Sequence, residues 1–451
     1  MSKAAIPKGT RDFSPEQMLR REYVFNIIKQ TFYKYGYKQI QTPAIEKIET
    51  LTGKYGEEGD RLIFKILKRG DKLKKEIQKF EDNTIDNNIE KSFCDQALRY
   101  DLTVPTARYV VQHKNDINFP FKRFQIQPVW RADRPQKGRY REFYQLDADV
   151  IGSNSLLNEL EIILLIDSVF TDLKIPDFTI KINNRKILSA IAEVTGESDK
   201  IIDITIAIDK LDKIGEQGVI KELLEKNISQ KAIEIINPIL KTKGNFRDVI
   251  SKLKEIITTS EIGALGIEEL ETIFTYVEKI ELKSAKLVLD MTLARGLNYY
   301  TGAIFEVTIE GASVGSVCGG GRYDDLTSVF GLKDVSGVGI SFGADRIIDI
   351  LEDFSLYPEF ISSATKLLIV NTDDNNLDTI LMAEYFRSKD INTEIYPDKV
   401  KMKKQLKYAN NNNIPFVIFT ENNSVIQLKN MLTGEQKICK KKDVVEEILK
   451  Q

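Results

Sequence analysis

Hydrophobic and polar positions follow three different rhythms along this chain. From Ser14 to Gly36 apolar side chains recur at helical spacing, with Val24, Ile27, Ile28 and Phe32 on one stripe. Ser14-Pro-Glu-Gln17 supplies an N-cap, a proline at the first helical position and a capping-box glutamine, and Gly36 supplies the stop. Residues 38–41 then read as a short strand ahead of Pro43. From Phe124 to Val150 the rhythm becomes period two. Gln125, Gln127, Arg131 and Asp133 share one face, opposite Phe124, Ile126 and Trp130, and the return run sets Arg141, Gln145, Asp147 and Asp149 against Tyr144, Leu146, Ala148 and Val150. This pattern predicts a hairpin with an apolar back and a charged front, turning at Pro135-Gln-Lys-Gly138. From about Gly196 to Ser284 helical periodicity returns, as over 219–224, 233–240 and 267–280. Strands resume at Leu287, with clean alternation over 304–309.

After Ser355 a third pattern begins: strand 366–370, helix 377–387, strand 393–395, helix 401–409 and strand 416–419, which alternate as a compact α/β unit. A helix over 399–407 would carry Lys399, Lys401, Lys403, Lys404 and Lys407, a density suited to phosphate contact or to an ordinary solvated face. Residues 68–91 stand apart. They are dominated by Lys, Asp, Glu and Asn with few apolar anchors, which predicts a solvated, mobile loop.

Composition narrows the classes. At 451 residues the chain exceeds one ordinary core, so two to four domains are expected, and 42% hydrophobic with 29% charged residues describes a globular protein. A net charge of -2 excludes a uniformly basic nucleic-acid coat, so any RNA contact comes from local patches. Cys94, Cys318 and Cys439 are far apart with no C-x-x-C spacing, which fits a reducing compartment and argues against structural zinc. The start, MSKAAIPKGTRD, lacks the apolar core of a signal peptide, and the longest aliphatic run, 162–166, is too short to span a bilayer, so a cytoplasmic protein with no membrane partner is expected. The single histidine, His113, follows the helical stretch 104–112, where an imidazole answers helix-end carbonyls. One histidine leaves no room for a His-based metal site and makes a Ser-His-Asp triad a poor reading. The hairpin front carries both signs of charge, with Arg134 and Arg139 flanking its tip. That suits a ligand bearing a polyphosphate and an ammonium group, whereas a half-exposed antiparallel sheet would account for the alternation alone.

The run from Arg131 through Gly152 resembles motif 2 of the class II aminoacyl-tRNA synthetases, in its histidyl-tRNA synthetase version. Lys8-Gly-Thr-Arg-Asp12, Thr42-Pro43, Leu98-Arg-Tyr-Asp-Leu-Thr-Val104, Leu293-Ala-Arg-Gly-Leu-Asn-Tyr-Tyr300, Gly319-Gly-Gly-Arg-Tyr-Asp324 and Gly337 to Arg346 resemble the same family, in the same order, over nearly the whole chain. The resemblance implies an α+β catalytic domain with a mainly antiparallel sheet (residues 1–195 and 285–355). It also implies a helical insertion (196–284) and a C-terminal α/β anticodon-binding domain (362–451). It implies activation of L-histidine by ATP, with Mg2+ on the phosphates, and transfer of histidine to tRNA(His) by a homodimer built around 39–44. Residue by residue, it puts Arg131 and Arg295 at the α-phosphate as the catalytic pair, and Arg131, Asp133, Arg139 and Arg346 at ATP. Asp101, Thr103 and Gln145 go to the amino group of histidine, Asp149, Tyr300 and Tyr299 to its imidazole, and Arg295 also to the histidine site; no metal ligands are implied. Asp101, Asp133 and Asp149 stand where many relatives carry glutamate, and Asn298 where aspartate is usual. Two alternatives remain at this point: a catalytically retired paralogue such as the regulatory subunit of ATP phosphoribosyltransferase, and a sister ligase for proline, threonine or glycine.

Overall fold

The computed structural model describes residues 4–82, 89–240, 242, 244–294, 299–358, 361, 363–371, 376–421 and 425–450. The chain divides into two compact units, residues 1–11 with 24–356 and residues 12–23 with 357–451. In the first unit the strands are β1 (Lys38–Gln39), β2 (Ile45–Lys47), β3 (Lys65–Leu67), β4 (Cys94–Leu98), β5 (Phe121–Trp130), β6 (Glu142–Ile151), β7 (Phe178–Asn184), β8 (Lys286–Leu289), β9 (Ala303–Ile309), β10 (Cys318–Tyr323) and β11 (Gly337–Gly343). Eight of them form one sheet in the order β1-β5-β6-β11-β10-β9-β7-β8, and β2-β4-β3 form a small second sheet. In the large sheet only the edge pairs β1/β5 and β7/β8 are parallel. The mainly antiparallel class II type sheet is therefore present.

The sheet's back is apolar for the reason period two suggests. Phe124, Leu146, Ala148, Val150 and Phe342 are fully buried there. Phe32 of helix Pro15–Lys34 and Phe170 of helix Leu157–Asp172 stack on them, with rings 5.1 Å (Phe32–Phe124) and 5.8 Å (Phe170–Phe342) apart. The first helix is capped as its sequence implies: the Ser14 backbone N–H donates to Gln17 Oε1 at 2.9 Å, Gln17 N–H donates to Ser14 Oγ at 3.3 Å, and Gly36 takes φ +80° beyond the end.

Between β7 and β8 the chain is helical, with helices Arg185–Val194, Ile201–Asp209, Leu211–Glu225, Gln230–Leu240, Phe246–Ile256 and Glu261–Ile280. The expected charged loop over 68–91 is a correction. Helices Asp71–Glu81 and Ile89–Phe93 occupy most of it, and 83–88 lie outside the described residues. Lys, Glu and Gln are good helix formers, and Leu73, Ile77 and Phe80 recur on one face, although no residue of the longer helix is buried. Local propensity decides here, without a core.

In the second unit β12 (Leu367–Ile369), β13 (Thr393–Ile395), β14 (Phe416–Glu421), β15 (Val425–Asn430) and β16 (Gln436–Cys439) form a sheet ordered β13-β12-β14-β15-β16, with the first three parallel. Leu367 and Ile369 belong to one buried cluster and Leu368 and Val370 to another, so both faces are covered, as a parallel core requires. The β15–β16 hairpin and the helix Lys441–Leu449 extend the unit beyond the alternation read from the sequence. A second correction concerns the lysine helix, which spans Met402–Asn411 with Lys401 as its N-cap. Lys399 and Lys401 precede it, leaving Lys403, Lys404 and Lys407 on its exposed face.

Candidate active site

Strands β5 and β6 pair so that Arg123 faces Asp149, Gln125 faces Asp147 and Gln127 faces Gln145. Strand β11 continues these rows, with Ser341 beside Asp147 and Gly339 beside Asp149. The polar front is not a solvated surface. Arg123, Gln125, Gln145, Asp147 and Asp149 are all buried. Thr42, between β1 and β2, binds into it: Thr42 Oγ1 accepts from Gln125 Nε2 at 3.0 Å, and the Thr42 N–H donates to Gln127 Oε1 at 3.1 Å. A cluster of Tyr55, Tyr100, Val104 and Tyr323 packs against the partly buried Tyr299 and Tyr300.

Asp149 is held from two sides. Tyr323 Oη donates to its Oδ1 at 2.6 Å, and Arg123 Nη2 forms an ion pair with its Oδ2 at 2.5 Å. Gly339 makes this possible, because a Cβ there would stand 2.0 Å from Asp149 Oδ1. Asp101 lies just before helix Thr103–Gln112, where its Oδ1 accepts from Tyr55 Oη at 2.8 Å and from the Val104 N–H at 3.2 Å. Gln145 Nε2 donates to Ser341 Oγ at 2.8 Å. The Tyr299 and Tyr300 rings meet edge-on at 4.9 Å, Tyr299 hydrogen-bonds Thr103, and Tyr300 abuts Gly321, where a Cβ would sit 2.9 Å from its ring. The structure thus gathers Asp101, Thr103, Gln145, Asp149, Tyr299 and Tyr300 around the front of β6. Residues 319–321 lie within β10, and at Gly320 a Cβ would meet the Gly339 carbonyl at 2.0 Å. That glycine serves strand approach.

The cationic side lies toward the hairpin tip. Arg131 follows β5, with its guanidinium 4.2 Å over the Tyr100 ring and its Nε donating to the Tyr100 carbonyl at 3.1 Å. Arg346, in the first turn of helix Ala344–Asp353, donates through Nε to the Gly138 carbonyl at 3.0 Å and through Nη1 to the Ser316 carbonyl. Arg139 is exposed at the tip, where Gln136 and Arg139 form a single antiparallel bridge. Asp133 is partly buried, and its backbone carbonyl accepts from Arg141 Nε at 3.1 Å. Arg295 and Asn298 lie outside the described residues. Arg11, in the Lys8–Asp12 block but without a role assigned from sequence, has its guanidinium 3.4 Å over the Tyr140 ring and pairs with Asp345, tying the N-terminal segment to the hairpin.

Burial governs the titration of the acidic side. It pushes Asp101 up to about 6 and Asp147 up to about 7. For Asp101 the Tyr55 hydrogen bond and the Arg131 charge oppose the rise, and for Asp147 the Arg123 charge does so. Burial raises Asp149 as well, against Arg123 and Tyr323. Arg123, Tyr323, Ser341 and Tyr55 had no role from sequence. Arg123 shares the parity of Gln125 and Gln127, and that parity was the available signal.

The family model for histidyl-tRNA synthetase matches residues 9–77 and 82–347. The chain belongs to the histidyl-tRNA synthetase family. A second model, that of the anticodon binding domain, matches residues 368–451. A histidine–tRNA ligase of Christiangramia forsetii is 55% identical over 440 residues, covering 96% of both chains, and one of Phocaeicola vulgatus is 53% identical over 444 residues, covering 97% of both. Among solved structures, the histidyl-tRNA synthetase of Nostoc sp. PCC 7120 superposes with a TM-score of 0.84 at 30% identity, covering all of both chains. A protein of Bacillus halodurans C described as an ATP phosphoribosyltransferase regulatory subunit/histidyl-tRNA synthetase shares the fold at 20% identity, with a TM-score of 0.70 over 90% of this chain and 97% of that one. The two ligases cover 96% and 97% of this chain, the stretch that matches the anticodon binding domain included.

Proposed function

We infer that this chain is a histidine–tRNA ligase. The observation that carries this reading is the 55% identity to a ligase of that name across 96% of both chains. The buried acceptor face of Asp101, Gln145 and Asp149, with Arg131 close by, supports it. In the first step the histidine carboxylate attacks the α-phosphate of ATP, forming histidyl-adenylate and releasing pyrophosphate. In the second, a ribose hydroxyl at the tRNA 3' end takes the histidyl group and AMP leaves. Negative charge grows on phosphate oxygens in the first transition state, and cations already fixed there lower its barrier. Arg131 and Arg295 supply those cations, while Arg139 and Arg346 hold the rest of ATP with Asp133, and magnesium arrives on the nucleotide phosphates.

Asp101, Thr103 and Gln145 receive the substrate ammonium, and Asp149 with Tyr300 and Tyr299 reads the imidazole. A site that bonds both ring nitrogens discriminates by roughly 10⁴ to 10⁵ against analogues lacking them. The C-terminal α/β domain binds the tRNA(His) anticodon, and the enzyme works in the cytoplasm. Purified protein should exchange labelled pyrophosphate into ATP when histidine and magnesium are present, and far less with proline, threonine or glycine. Exchange that ignores histidine would reject the reading. The active form is a homodimer joined through residues 39–44, so sedimentation at micromolar concentration should give twice the mass of the chain, whereas a monomer mass would reject the dimer.

A further inference from the structure

Asp147 has no part in the roles assigned above, yet it lies on the same face of β6 as Gln145 and Asp149, one strand period, about 6.8 Å, from each. It is 1% exposed. The Ser341 hydroxyl hydrogen-bonds its carboxyl and in turn accepts from Gln145, while among the described residues Asp147 Oδ1 has no hydrogen-bond partner. Asp101 is 2% exposed, and among the described residues its Oδ2 is likewise without a hydrogen-bond partner. The two carboxyl groups are close enough that the charge on Asp101 raises the pKa of Asp147.

Among the described residues the charges of these groups do not balance. Three carboxylates, Asp101, Asp147 and Asp149, are buried together. Of the arginines whose charge acts on them, Arg123 is committed to its ion pair with Asp149, and Arg131 lies over Tyr100 with its Nε on the Tyr100 carbonyl. Buried anions are held by partner charges or by taking up protons, and the pKa of Asp147 near 7 is the second response. A substrate cation placed between Asp101 and Asp147 would supply the first, and it would meet both orphaned oxygens with N–H donors. An ammonium has three such donors on one centre.

We propose that Asp147 is a further substrate-binding residue, which together with Asp101 clamps the α-ammonium of the amino acid between two buried carboxylates. The proposal rests on the histidine-ligase reading and deepens it. It adds a second carboxylate to Asp101, Thr103 and Gln145 in rejecting ligands without an ammonium.

The test compares wild type with Asp147→Asn, which keeps the shape and removes the charge. Three probes are titrated at pH 8: histidine, histidinol (ammonium and imidazole, no carboxylate) and imidazolepropionate (imidazole and carboxylate, no ammonium). Loss of a charged hydrogen-bond partner should weaken histidine and histidinol by roughly 10- to 100-fold and leave imidazolepropionate within about twofold. In pyrophosphate exchange the KM for histidine should rise with kcat little changed. Asp147→Ala is the second variant, and ATP affinity measured alone reports on a folded site. Equal losses for all three probes, no loss for any, or failure of both variants to fold would each make Asp147 structural and overturn the proposal. If wild type itself failed to bind histidine, the functional reading would fall first. Wild-type binding with an unchanged histidinol-to-imidazolepropionate ratio in the variants would sink the clamp alone.

Discussion

Replacing Arg131 by alanine should lower histidine-dependent pyrophosphate exchange by roughly 10²- to 10³-fold, the cost of removing one preorganised donor from a developing oxyanion. The side chain is already fixed before any phosphate arrives: its guanidinium rests on the Tyr100 ring and its Nε is bound to the Tyr100 carbonyl. Such a cation needs little reorganisation as charge builds, so the loss should fall on kcat more than on the KM for ATP. A smaller effect on histidine is also expected, because Arg131 is one of the charges that hold down the pKa of Asp101. Arg131→Lys keeps the charge but loses the planar fork and its stacking, and should lie between wild type and alanine. The check is steady-state exchange with both substrates varied, alongside circular dichroism. A folded alanine variant with wild-type kcat would take Arg131 out of the chemistry.

Arg322→Ala should destabilise the first unit by about 3–5 kcal/mol, the usual cost of leaving one member of a buried ion pair alone. Glu159 is fully buried and takes two bonds from this arginine, from Nε at 2.5 Å and Nη2 at 2.8 Å. Arg322 Nη1 also donates to Ser336 Oγ at 2.5 Å and to the Ser153 carbonyl at 3.2 Å, so one side chain ties β10 to the start of helix Leu157–Asp172 and to the approach to β11. Urea unfolding followed by a signal from this unit would measure the loss. Because the chain has two compact units, the transition has to be assigned to one of them before a free energy is taken from it. The double variant Arg322→Ala with Glu159→Leu should recover much of the stability, since it removes the orphaned charge as well. A variant of Arg322 as stable as wild type would contradict the role. Although Arg322 sits in one of the blocks that resemble the family, its contacts are structural, and exchange activity should track the folded fraction.

Much of this protein was legible in its residues because local chemistry and period decide those features. Ser14, Gln17 and Gly36 bound the first helix through hydrogen bonds a few residues long, and Phe124 to Val150 declares an apolar back at period two. Recognition of the family needed only the order of short blocks. Helix 71–81 was missed because polar residues with good helix propensity look like a loop when no apolar face is buried.

What sequence could not decide is who faces whom. The hairpin tip pairs Gln136 with Arg139, and a register counted outward from that bridge would set Gly152 opposite Arg123, whereas the strands set Asp149 there. The irregular tip hides the partner of the buried arginine, and with it the charge that holds Asp149. Burial of the polar front was equally invisible, since alternation is the same whether a face meets water or Thr42, Tyr100 and Tyr300. Period thus determined which side chains share a face. Only the tertiary structure removed that face from water and left Asp101 and Asp147 with oxygens unpaired among the described residues, because burial and register are set by distant segments that no local pattern encodes.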